Sequence, residues 1–194
     1  MTTFQVLQEL PQLFRYADVQ KFTGNANMFL LRAIKRGLIE RLTRGVYINA
    51  GLKGHPRIEE AACFIRPPCY ISCEWALNHH GITIQSPAVC TVLTLSTAVG
   101  ESRRLTYQGV TLEFSRIADR LFSGFTQEDG YAIATPEKAL LDTLYFRKKL
   151  PVLDELELEM IDPEILKEMA VHFPKRVRGE AAKLQLRLGC RNEC

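Results

Sequence analysis

Five cations fall between residues 32 and 44: Arg32, Lys35, Arg36, Arg41 and Arg44, opposed only by Glu40. A guanidinium offers two parallel donors to a phosphate or to the edge of guanine, and an ammonium offers a compact point charge. Asparagine can pair in the same two-pronged way with adenine, and Asn25 and Asn27 lie just upstream with Met28 beside them. The chemistry these residue types suit is recognition of a polyanion, with bases read from a short segment. The candidate binding set is therefore Asn25, Asn27, Met28, Arg32, Lys35 and Arg36, followed by Arg41, Thr43 and Arg44.

Other reactive groups are placed less tellingly. Cys69 and Cys73 with His79 and His80 have spacings that a zinc site can use. A strand-to-helix reading of this segment, however, sends their side chains to different faces, and buried cysteine commonly serves as a small apolar residue. No metal or cofactor is expected. Glu137, Lys138 and Asp142 resemble catalytic groups in type, yet a glutamate at a helix start also simply favours the helix dipole. No Ser-His-Asp, Cys-His or paired-carboxylate arrangement has a supporting motif, and there is no phosphate loop. The expectation is a protein without catalytic residues.

The elements that must position the cations can be read from local pattern. Apolar spacing and the stop at Pro11 predict a helix over 2–10, and a second is expected over 14–22. Thr23-Gly24-Asn25 is turn chemistry, with Asn25 or Asn27 able to cap the next helix. That third helix is predicted over 26–36, its core stripe formed by Leu30, Leu31, Ile34 and then Leu38, with Gly37 ending it. Ile39–Leu42 and Val46–Ile48 alternate and pair across Thr43-Arg44-Gly45. A basic helix followed at once by a basic hairpin is the layout of a winged helix-turn-helix. The helix enters a DNA major groove while the wing lies along the flanking backbone or reaches into the minor groove.

Residues 49–56, rich in glycine and ended by Pro56, read as a linker. The expected division is a winged helix-turn-helix over 1–50 and a mixed α/β domain over 57–194 that ends in helices, an α+β chain overall. The second part is expected to hold a helix over 58–65 and a strand over 70–73. A helix over 74–80 and a buried strand over 89–95 come after these. A hairpin turning at Gln108-Gly109 is next, then a strand over 131–134 running into a Thr135-Pro136 helix start. Helices over 163–173 and about 175–188 close the chain. The last carries Lys175, Arg176, Arg178, Lys183 and Arg187, either as a surface helix or as a second polyanion contact.

Charge obeys the same division. Residues 1–50 hold seven Lys/Arg against three Asp/Glu, residues 51–163 eleven against fifteen, and residues 164–194 seven against four. Polyanion binding therefore belongs to the ends. No segment approaches the roughly 20 apolar residues of a membrane helix, and Met1-Thr2-Thr3-Phe4 lacks a charged leader and signal core. The expected compartment is the cytoplasm, and the six cysteines (63, 69, 73, 90, 190 and 194) are expected as reduced thiols.

Three segments carry a family resemblance. Leu38-Ile-Glu-Arg-Leu-Thr-Arg-Gly-Val-Tyr47, preceded by Lys35-Arg36-Gly37, resembles the winged-helix start of the AbiEi family of bacterial antitoxins. Tyr70-Ile-Ser-Cys-Glu-Trp-Ala-Leu-Asn-His-His-Gly81 is similar to its strand-helix segment, and Thr135-Pro-Glu-Lys-Ala-Leu-Leu-Asp142 to its late helix start. The cysteines at 69 and 73 depart from the usual pattern. The resemblance implies a repressor of its own operon, bound to double-stranded DNA at its own promoter. It also implies a C-terminal domain that counters a nucleotidyltransferase-like toxin, with or without direct contact. The alternative is a winged-helix regulator whose second domain senses a ligand or drives oligomerisation, with no toxin.

Overall fold

A computed structural model describes residues 2–96, 103–148, 150 and 156–191, with side chains described through residue 186. The chain is α+β and divides into two compact units, residues 1–65 and 66–194.

The first unit opens with α1 (Thr3–Glu9), whose start is closed by reciprocal bonds between Thr2 and Gln5. Strand β1 (Leu13–Arg15) runs directly into α2 (Tyr16–Gln20), and α3 (Ala26–Lys35) comes after a short turn. The hairpin is β2 (Glu40–Thr43) and β3 (Val46–Ile48). The sequence suggested one helix over 14–22, but Leu13–Arg15 are extended and complete a three-stranded sheet in the order β1-β3-β2, with Leu13 opposite Ile48 and Arg15 opposite Val46. The reason is long-range pairing. Phe14 is buried in this strand and stacks on Tyr47 at 5.6 Å, a contact that three helical residues would forfeit.

The core of this unit joins Val6, Leu7 and Leu10 of α1 to Phe14, Val19, Ala26, Leu30, Ala33, Ile39 and Tyr47. Asn49 is buried and its Nδ2 donates to the carbonyls of Leu7 (2.8 Å) and Leu10 (3.2 Å), so a side chain satisfies two carbonyls at the end of α1. The stretch read as a linker is therefore structured. After Asn49 comes α4 (Ala50–Lys53), then α5 (Ile58–Ile65), which belongs to the first unit. Arg15 donates to the Phe64 carbonyl at 2.6 Å and lies over the Phe64 ring, using one cation of the basic end for packing.

The second unit is built on a six-stranded mixed sheet in the order β6-β7-β5-β4-β9-β8. Its strands are β4 (Cys69–Ser72), β5 (Val89–Thr94), β6 (Arg104–Tyr107), β7 (Val110–Arg116), β8 (Phe125–Glu128) and β9 (Tyr131–Ala134). Pairs β4/β9 and β5/β7 are parallel and the others antiparallel. Its helices are α6 (Cys73–His79), α7 (Pro136–Arg147), α8 (Pro163–Ala170) and α9 (Lys175–Arg191). Strand β8, polar in sequence and exposed over most of its length, is the element that local pattern did not reveal.

Helix α7 is buried along nearly its whole first two turns, including Glu137, Lys138 and Asp142. Thr135 caps it, accepting the Lys138 amide, with Pro136 at its first position. Gly124 approaches this helix so closely, at a φ of +75°, that a Cβ would overlap Met169 and press on Lys138. At its far end Arg147 reaches Glu74 (3.1 Å), Thr91 (2.9 Å) and Glu113 (3.0 Å), while Arg104 holds the other Glu113 oxygen at 2.8 Å.

Burial alone would raise the Glu113 carboxyl, but its bonds from Arg104 and Arg147 outweigh this and hold it below the usual carboxylate range. A depressed carboxylate contributes stability that is present above the unfolded pKa and is lost as the pH falls through the folded one. Glu113→Gln is thus expected to be less stable than the parent near pH 7. The gap should narrow steadily below about pH 5, read by denaturant unfolding at stepped pH. A gap that stays constant down to pH 3 would show that the charge on Glu113 plays no part.

Candidate nucleic-acid interface

Helix α3 is amphipathic, and its buried face keeps Leu30 and Leu38 of the expected stripe but not Leu31 and Ile34. Ala26, Leu30 and Ala33 are buried, with Phe29 and Leu38 half-buried beside them. Leu31 and Ile34, expected in the core stripe, are exposed at 62% and 39%. Ala26 and Ala33 join Leu30 in the core cluster shared with Val6, Leu7, Leu10, Val19 and Tyr47, while the larger Leu31 and Ile34 turn outward. The helix ends as expected: Gly37, at a φ of +68°, donates to the Ile34 carbonyl while Leu38 donates back to Ala33.

Of the nine expected site residues, Asn25, Asn27, Met28, Arg32, Lys35, Arg36, Arg41 and Arg44 are exposed, and Thr43 is half-buried in the wing strand. Asn25 is the N-cap. Its Oδ1 accepts the Met28 amide at 3.1 Å, so a two-pronged pairing with a base would require breaking that cap. Asn27, one residue into the helix, makes no such bond and keeps both groups of its amide. Arg32, Lys35 and Arg36 project from α3, and Arg41 and Arg44 flank the tip of the wing. None of the five pairs with an acidic side chain among the described residues. Arg41 donates only to the Thr43 carbonyl, at 3.4 Å.

Glu40, the one acid within the basic stretch, lies 3.0 Å from His55 Nε2. Register between β2 and β3 shifts between Arg41 and Thr43, a bulge that strengthens the local twist where the wing turns. The arrangement is a surface of unneutralised cations on one helix and one hairpin tip, held by a small shared core.

The groups that look reactive in the second unit are used internally. Lys138 and Asp142 are paired in the interior, and Asp142 Oδ2 accepts from the Tyr70 hydroxyl (3.0 Å) and from Ser72 Oγ (2.7 Å). Lys138 also donates to the Tyr70 hydroxyl at 2.8 Å. Tyr70 and Ser72 are the partners that the sequence did not bring to attention. Their separation from Asp142 by about 70 positions leaves no local signal.

Cys73 sits at the strand-to-helix corner with a φ of +57°, a geometry that some hydrolases use to expose a nucleophile. Here the side chain is fully buried, and burial pushes its thiol well above its ordinary pKa, so it is a poor source of thiolate. His80 bonds the Ala134 carbonyl at 2.7 Å. Among the described residues no group of three His, Cys, Asp or Glu is placed to hold a metal ion, and no helix is long and apolar enough to cross a membrane. Cys190 and Cys194 lie outside the residues whose side chains are described.

Glu137 accepts the Asp162 amide at 3.0 Å, joining the start of α7 to the start of α8. On α9, Arg176 donates to the Leu144 carbonyl at 2.8 Å and so closes the end of α7. That part of the C-terminal basic helix is structural. Lys183 pairs with Glu180, and the side chain of Arg187 lies outside the described set.

No curated protein matches the chain in sequence. In three dimensions it is similar to the crystal structure of the RV2827C protein from Mycobacterium tuberculosis, with a TM-score of 0.65 over 94% of this chain and 74% of that one. The identity is 11%, so the likeness is one of fold. The family profile described as "Transcriptional regulator, AbiEi antitoxin" matches residues 1–50, the segment that holds α1 to α3 and the wing. Over those 50 residues, about a quarter of its length, the chain is similar to the AbiEi antitoxin transcriptional regulators.

Proposed function

We propose that the chain represses its own operon by binding promoter DNA through α3 and the wing, and that its second unit counters a nucleotidyltransferase-like toxin without catalysis of its own. The observation that carries the first half is the set of five exposed cations, Arg32, Lys35, Arg36, Arg41 and Arg44, none of which pairs with an acidic side chain among the described residues. Each cation seated on a phosphate releases a condensed counterion, so binding should weaken steeply with salt. Asn27, with a free amide near the helix start, is the residue best suited to read a base edge.

The antitoxin half is supported by the family likeness of residues 1–50 and by the inward use of the reactive groups in the second unit. The two halves separate in one experiment. The full chain, intact or with Arg32→Ala and Arg44→Ala together, is co-expressed with the nucleotidyltransferase-like protein of its operon, and growth and promoter activity are measured. The expected result is that both forms restore growth while only the intact form silences the promoter. Failure of both to restore growth would favour a winged-helix regulator with no toxin to counter.

A further inference from the structure

We propose that Met28 and Leu31 read thymine methyl groups in the major groove, so that specificity rests partly on apolar contact; this depends on α3 being the helix that enters DNA. Residues 28, 31, 32 and 35 fall on one face of a helix, opposite the buried Ala26, Leu30 and Ala33. That outward face therefore carries Met28 and Leu31 side by side, bordered by Arg32 and Lys35. Leu31 is exposed at 62% and Met28 at 40%. Single exposed apolar residues are ordinary. Two adjacent ones at the centre of a basic helix face restrict what can cover them.

Charge decides between occupants. An apolar protein surface laid on this face would strip water from Arg32 and Lys35 with no counter-charge supplied. A second copy of the chain, meeting it about a two-fold axis, would bring the same cations against each other. Duplex DNA satisfies both kinds of group at once. Phosphates meet the cations along the groove edges, and the one apolar feature of the groove floor, the thymine C5-methyl, meets the two side chains.

The test uses a duplex from the region upstream of the chain's own gene, prepared once with thymidine and once with deoxyuridine, which lacks only the methyl. Affinity of the full chain should fall about fourfold for each contacted methyl removed, the equivalent of one buried methyl(ene) group. Leu31→Ala should bind thymidine DNA more weakly and lose most of the difference between the two duplexes. Arg32→Ala should bind both more weakly, show a shallower salt slope, and keep the difference. The comparison across variants cancels any change that uracil makes to duplex shape.

Equal affinity of the parent for the two duplexes, or an undiminished difference in Leu31→Ala, would overturn the methyl contact while leaving DNA binding intact. Self-association of the parent that disappears in Leu31→Ala, with the thymidine preference unchanged, would assign the face to a second copy and equally overturn it. No binding to either duplex would remove the groove-entry reading and this inference together.

Discussion

Asp142→Ala is expected to destabilise the second unit by about 3–5 kcal/mol, the cost of orphaning one member of a buried ion pair. The carboxylate it removes is inaccessible to water, and so is Lys138. Its loss would leave the ammonium in the interior without a counter-charge, beside the rings of Tyr70 and Phe173. The Tyr70 and Ser72 hydroxyls would also lose their acceptor. Burial pushes the Asp142 carboxyl up and the Lys138 ammonium down against their mutual attraction, so desolvation outweighs the pairing for each. Replacing a buried ion pair as a whole by apolar residues of similar volume is often neutral or stabilising, whereas removing one partner is not. Lys138→Met combined with Asp142→Leu should recover the part of that loss due to the orphaned ammonium, while the Tyr70 and Ser72 hydroxyls still lack their acceptor. Denaturant unfolding monitored through Trp75, the single tryptophan and a residue of α6, reads the relevant unit. A loss under about 1 kcal/mol for Asp142→Ala would mean that water reaches the site, and the role given to the pair would fail.

That pair also marks where local pattern stops being informative. Lys138 and Asp142 are four residues apart on a helix, a spacing that ordinarily describes a solvated surface pair. Among the groups that bury them are Tyr70 and Ser72 of β4, about 70 positions upstream, and Phe173, so neither the burial nor the network has any local signature. The same limit explains β1. Leu13–Arg15 are extended because β3 lies ready to pair with them more than thirty positions later, and Phe14 gains Tyr47 by it. By contrast, Thr135-Pro136, Gly37 and Asn25 announce helix ends through side-chain chemistry that acts within a few residues. Those ends fall where the sequence suggested.

The candidate surface divides in the same way. Exposure of Arg32, Lys35, Arg36, Arg41 and Arg44 was legible because charge avoids a small core whatever the fold. The outward turn of Leu31 and Ile34 was not, because apolar periodicity alone favours the larger side chains. Which of two overlapping stripes faces inward is decided by the tertiary core, where Ala26, Leu30 and Ala33 cluster with residues from α1, α2 and β3.

Replacing Arg32, Lys35, Arg41 and Arg44 together by alanine should have the largest effect on DNA affinity. A phosphate contact contributes about 0.9 to the log–log salt slope, and the same increment is worth about 0.9 log units of affinity at 0.1 M salt. Four contacts would then remove about 3.6 from the slope and roughly three orders of magnitude or more of affinity. None of the four is held by an acidic partner, so their loss should leave unfolding of the first unit almost unchanged. That separates the expected loss from one caused by misfolding. Asn25→Ala tests the contrast, since it removes the cap of α3 at a cost of about 1 kcal/mol and would weaken binding by loosening the helix rather than by losing a charge. Asn27→Ala should leave the slope alone and reduce discrimination between operator variants. Titration of the promoter duplex from 50 to 300 mM salt, on the order of the range where counterion release dominates, distinguishes the three behaviours. An unchanged slope in the fourfold variant would show that α3 and the wing do not face the DNA backbone.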